Sequence, residues 1–118
     1  MPYISTKDGG RREALRNGEI ALTAGELNYQ LFYYIKHNDA KSDTFHEEII
    51  KDFVKHFLGD KPNYQRYNDV TGALIRCCVE IKRRLNIDAD FLIDIMASYD
   101  DEIAKYEDIK ILENGDVE

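Results

Sequence analysis

The sequence predicts an all-α fold, a single compact bundle of four to five helices behind a short irregular N-terminal segment. Three observations carry this. Apolar residues recur at three- and four-residue spacing along most of 23–112, the period of a helix with one buried face. Only two prolines and seven glycines occur, so long coil segments have little to build on. At 118 residues, with 43% hydrophobic and 33% charged side chains, the chain has the size and composition of one folded domain, 1–118.

Residues 1–22 form the irregular arm. Pro2-Tyr3-Ile4 reads as extended and Lys7-Asp8-Gly9-Gly10 as a turn. Arg11 to Arg16 can make a short helix, ended by Asn17-Gly18. The first long helix starts at Thr23, which with Glu26 fits a capping box. There the hydroxyl and the carboxylate satisfy free amides reciprocally. Leu27, Leu31 and Ile35 repeat every four residues, with Phe32 and Tyr34 beside them, and the end falls near His37-Asn38.

A polar linker, Asp39 to Asp43, leads to a second helix from Thr44, with Glu47 three places on. Ile49, Ile50, Phe53, Val54, Phe57 and Leu58 give it a broad apolar face; Gly59 and Pro62 stop it. The third helix spans about Tyr64 to Leu85, with Tyr67, Val70, Leu74, Cys77, Cys78 and Ile81 inward. Gly72 lies in its middle, where glycine costs about 1 kcal/mol relative to alanine. Close approach of another backbone or a ligand would compensate. A fourth helix is expected to start with Asp88 as its cap. It either runs to Leu112 or breaks near Tyr99-Asp100-Asp101, and Asn114-Gly115 stops it.

Charge and cysteine usage narrow the function. A net charge of −7 disfavours nonspecific binding of nucleic acid. The adjacent Cys77 and Cys78 read as reduced thiols, at least one of them buried. No apolar run reaches the length of a membrane span, and the start lacks a signal peptide's apolar core. These features place the chain in the cytoplasm, with no membrane partner.

No phosphate-binding loop, dinucleotide fingerprint or nucleophile elbow occurs, so no catalytic residue is assigned. His46-Glu47-Glu48 lacks the second histidine of a zinc-protease helix, because Ile50 stands in its place. All three histidines read as surface residues. No metal or cofactor is expected. A magnesium-dependent nucleotide pyrophosphohydrolase is the enzymatic alternative, suggested by Glu47, Glu48, Asp52, Asp90, Asp94, Asp101 and Glu102. The paired Glu-x-x-Glu and Glu-x-x-Asp pattern of those enzymes is missing.

What helical packing does not demand is a set of polar words. Glu80 stands four residues from both Arg76 and Arg84, which are ion-pair spacings on a solvated face or parts of a half-buried network. Asn68-Asp69 precedes Gly72, and Arg83-Arg84 ends the third helix. Arginine pairs supply the fixed donors that an anion requires. Tyr29, Phe32, Tyr33 and Tyr34 span more than one helix face; core packing explains Phe32 and one tyrosine, and a subunit interface the rest.

These words resemble a small family of uncharacterised bacterial, phage and prophage proteins. Its members open Met-Pro-Tyr-Ile, as at 1–4, and carry Gly-Glu-Leu-Asn-Tyr, as at 25–29. Asn-Asp-Val-x-Gly at 68–72, Glu-x-x-Arg-Arg at 80–84 and Tyr-Glu-Asp at 106–108, running on through Glu-Asn-Gly-Asp-Val, are similar too. Two departures stand out: residues 85–105 read as an inserted helix, and Glu118 replaces a terminal tyrosine. The resemblance implies no assigned chemistry.

The sequence therefore points to a non-catalytic binding module, self-associating as a homo-oligomer. Its ligand would be a small anionic or nucleotide-like molecule, or a host protein, as in sequestering a defence signal. The candidate ligand-binding residues are Asn28, Asn68, Asp69, Arg76, Glu80, Arg83, Arg84, Tyr106 and Asp108. The other alternative is a purely structural or regulatory oligomer.

Overall fold

In the computed structural model, residues 10–38 and 43–115 are described, without the side chains of 43–46. The Met-Pro-Tyr-Ile opening, the linker at 39–42 and the last three residues lie outside that range, as does most of the turn expected at 7–10. The described residues contain no strand. Six helical segments follow in order: α1 Arg11–Arg16, α2 Ala24–His37, α3 Asp43–Leu58, α4 Tyr64–Leu85, α5 Phe91–Ala97 and α6 Asp100–Asn114. The all-α bundle is thus as the periodicity predicts.

The core is one continuous cluster. Leu27, Leu31 and Ile35 of α2 meet Leu74, Cys77 and Ile81 of α4, the two helices with the most extensive mutual packing. Ile50, Val54 and Phe57 of α3 and Leu92 and Ile95 of α5 close the sides, and Leu15 of α1 inserts fully buried. Each such aliphatic side chain contributes about 1.5–3 kcal/mol by leaving water. Both cysteines are buried free thiols. Burial pushes Cys77 up to about 12.

Helix boundaries follow local chemistry. The Thr23 hydroxyl accepts from the Glu26 amide, which is half of the expected capping box. The other half differs: the Glu26 carboxylate accepts from the Leu22 amide and from Arg11. Asn63 caps α4 through the Arg66 amide, and Asn86 ends it in the left-handed region at φ 54°. Gly59 takes φ 72° just after α3, a conformation that favours glycine. The helix α3 begins at Asp43, one residue before Thr44; the capping contact expected there lies outside the described side chains.

The segment after α4 takes the second of the two courses expected, a break near Tyr99-Asp100-Asp101 in place of one continuous fourth helix. Asp88 does not cap a helix directly; its carboxylate accepts from the Asp90 amide in the loop before α5. The chain then breaks at Ser98–Tyr99. The Ser98 hydroxyl donates back to the Ile95 carbonyl, competing with continuation of the helix. Asp100, Asp101 and Glu102 then fill the first turn of α6, where the helix dipole favours negative charge. No residue of α6 is fully buried. Ile103 and Tyr106 lean on the core, while Ile109, Ile111 and Leu112 are exposed.

Two positions of α4 bear on what the sequence suggests. Gly72 is exposed, and a Cβ added there meets nothing within 4 Å. No described part of this chain approaches it closely. Of the two readings of Glu80, the solvated charged face is excluded and the buried one stands: it is 2% exposed, on the buried side of the helix with Cys77 and Ile81.

Candidate functional site

The short helix α1 is fixed to α2 by three side-chain devices. Arg11 donates to both carboxylate oxygens of Glu26, at 2.7 and 2.6 Å, the fork geometry that suits guanidinium and carboxylate. Gln30, 3% exposed, donates its amide to the Leu15 and Glu19 carbonyls at the exit of α1. Arg16 donates through Nε to the Tyr29 hydroxyl at 2.7 Å. Together they hold the outer face of α1, with Arg12 and Arg16, beside the Tyr29–Tyr33–His37 side of α2.

The result is an open cleft of about 210 Å³ where α1, α2 and α4 meet. Arg12 and Arg16 enter from α1 and Arg84 from the last turn of α4. Tyr29, Phe32 and Tyr33 supply the aromatic lining, and Lys36 and His37 the far end. Among the described residues, the four cations Arg12, Arg16, Lys36 and Arg84 line it and no aspartate or glutamate does. This inverts the balance of a chain carrying 23 acidic against 16 basic side chains.

The guanidinium groups lie on rings. Arg16 is 4.6 Å from the Tyr33 centroid and 5.9 Å from that of Tyr29. Arg12 is 5.7 Å from the Tyr29 centroid, and Arg84 is 5.1 Å from that of Phe32. Cation–π attraction orders these long side chains, and a guanidinium held by its face directs its N–H donors outward in its own plane. The Tyr29 hydrogen bond, and then the nearby phenols and Glu13, raise the Arg16 pKa above its ordinary value against the cost of desolvation. Arg16 therefore stays a cation at any physiological pH.

The residues singled out in the sequence do not gather in one place. Arg84 lines the cleft. Arg83, Arg76 and Asn68 are exposed on α4 and line none of the cleft. Asp69, half-buried, accepts from Gln65 one turn back at 2.8 Å. Glu80 is in the core, and so is Asn28, 6% exposed, whose Oδ1 has no hydrogen-bond partner among the described residues. Asp108 is exposed on α6.

Tyr106 has a structural position: its hydroxyl accepts from the Tyr64 amide at the start of α4, and its ring packs on Tyr67. With Tyr64, Glu107, Lys110 and Ile111 it lines a wider groove of about 520 Å³ along α6. The larger volume does not make this the better site. Its charges are of mixed sign, and Lys110 already lies over the Tyr106 ring. Among the described residues, no three His, Cys, Asp or Glu side chains are grouped so as to hold a metal ion. No described helix is long and apolar enough to cross a membrane.

Arg12, Arg16, Lys36 and His37 were not among the residues the sequence singled out. A signal existed: Arg12 and Arg16 are four apart, and Tyr29, Tyr33 and His37 repeat at the same interval. Tyr33 packs against Arg16 and His37 of its own chain. Comparison with protein-family models, with curated proteins and with solved structures finds no match to this chain.

Proposed function

We propose that this protein is a non-catalytic binding module whose cleft between α1, α2 and α4 takes a small phosphate-bearing, nucleotide-like anion. The observation that carries the reading is the cleft's lining among the described residues: four cations and no carboxylate, three of the cations stacked on rings. Ordered guanidinium groups bind phosphate oxygens through paired, charge-assisted hydrogen bonds. Because ring stacking and the clamps on α1 already restrain the arginines, less side-chain freedom is lost when a ligand arrives. Nothing in the cleft resembles a nucleophile paired with a base.

Calorimetric titration of the full chain with cyclic and linear nucleotides, at low salt and with a chelator, tests this. Micromolar to millimolar binding is expected. Joint replacement Arg16→Gln and Arg84→Gln should weaken it by about tenfold or more, the equivalent of losing one charge-assisted hydrogen bond. Absence of binding by every nucleotide would sink the reading.

A further inference from the structure

We infer, on the reading of the cleft just given, that it recognises a phosphate chain and not a nucleobase. The ligand class is thus polyphosphate: the di- or triphosphate end of any nucleotide, or an inorganic polyphosphate of the same length.

The first reason is that the ring faces are taken. A base is held in a site of this kind by stacking on an aromatic face. Tyr29 and Phe32 are only 7% and 6% exposed, and each lies under a guanidinium. Tyr33 is half-buried, with Arg16 4.6 Å and His37 4.3 Å from its centroid. Tyr29 follows at 6.2 Å along the same helix. The rings therefore serve as supports for arginines, not as a platform for a base.

The second reason is size. At about 210 Å³ the cleft falls below the roughly 300–1,000 Å³ of pockets that enclose a drug-sized molecule. It can seat an anionic end while the nucleoside stays in solvent. The third is the spread of charge. Arg12 and Arg16 stand on α1, Lys36 on the last turn of α2 and Arg84 on the last turn of α4. Cations contributed by three separate helices match several linked phosphoryl groups better than one.

Parallel titrations with orthophosphate, pyrophosphate, tripolyphosphate, ATP, GTP, CTP and adenosine, in magnesium-free buffer, test this. Affinity should rise with each added phosphoryl group, and adenosine should not bind. Tripolyphosphate and the three nucleoside triphosphates should agree within about threefold, whereas a stacked base would separate them by roughly five- to 150-fold. Lys36→Gln, Arg16→Gln and Arg84→Gln should each lower tripolyphosphate affinity, and Arg76→Gln, outside the cleft, should not. Lys36 is exposed at the end of α2, so its variant reports on the cleft even if Arg16→Gln loosens α1.

A base preference beyond about threefold, or binding of adenosine, would overturn the phosphate-chain assignment and leave an anion site standing. Failure of every phosphate to bind, or binding indifferent to all three cleft variants, would overturn the site itself.

Discussion

Gln30 and Leu15 join α2 to the exit of α1: the Gln30 amide nitrogen donates to the Leu15 carbonyl at 2.9 Å. The same nitrogen donates to the Glu19 carbonyl at 2.8 Å. Carbonyls at a helix end lack helical partners and need others when water is excluded. A buried glutamine on an otherwise apolar stripe is therefore a fastener for the helix that presents Arg12 and Arg16. Gln30→Leu should destabilise the protein by about 1–3 kcal/mol, the cost of leaving buried polar groups unsatisfied. Urea unfolding measures this, and an unchanged midpoint would contradict the role.

The Arg11–Glu26 pair makes the attachment of α1 sensitive to acid. The Arg11 hydrogen bonds, helped by the Leu22 amide, hold the Glu26 pKa below its ordinary value of 4.5 despite desolvation. A carboxyl with a depressed folded pKa adds stability that is present above its unfolded pKa and lost as pH falls through the folded one. Wild type should therefore exceed Glu26→Gln in stability at pH 7, and the gap should close below about pH 4.5. A gap that stays constant down to pH 2.5 would show that the carboxylate's charge is irrelevant.

Tyr67 and Tyr106 anchor α6, which otherwise buries little. The Tyr67 hydroxyl donates to Glu102 at 2.9 Å, and burial together with that carboxylate pushes its pKa up to about 12. For an acid raised in this way the added stability is complete below the unfolded pKa, near 10, and disappears as pH climbs through the folded value. Tyr67→Phe should thus remove the part of the alkaline stability loss that falls between pH 10 and about 12. Tyr106→Phe, which deletes the acceptor for the Tyr64 amide, should cost about 0.5–1.5 kcal/mol. Equal alkaline melting curves for wild type and Tyr67→Phe would refute the assignment.

Much of the fold can be read from the chain because it rests on short-range rules. The stripe Leu27, Leu31, Ile35 faces the core, Gly59 and Asn17-Gly18 stop helices, and α4 spans Tyr64 to Leu85 as its periodicity implies. The cleft is less legible because it depends on how helices dock. Arg12 and Arg16 look like solvated charges until Gln30 and Glu26 pin α1 against the tyrosines of α2. Glu80 is ambiguous in the sequence: its spacing to arginines fits a solvated face or a half-buried network, and the docking of α2 on α4 decides for burial. Tyr106 reads as a motif residue, yet its visible contact is a cap on α4.

Gly72 offers a direct test of whether the middle of α4 faces anything. It lies in a long helix, is exposed, and has open space where a Cβ would stand. Its backbone does not have a positive φ, unlike Gly10, Gly18, Gly59 and Gly115, so alanine is admitted without strain. Glycine there only adds conformational freedom to the unfolded chain. Gly72→Ala should stabilise the isolated protein by about 0.4–1 kcal/mol, read as a higher urea midpoint at unchanged slope. It should leave phosphate binding at the cleft intact, since Gly72 lines none of it. A loss of stability would mean that another surface, such as a second copy of the chain, comes closer to this glycine than the single chain does.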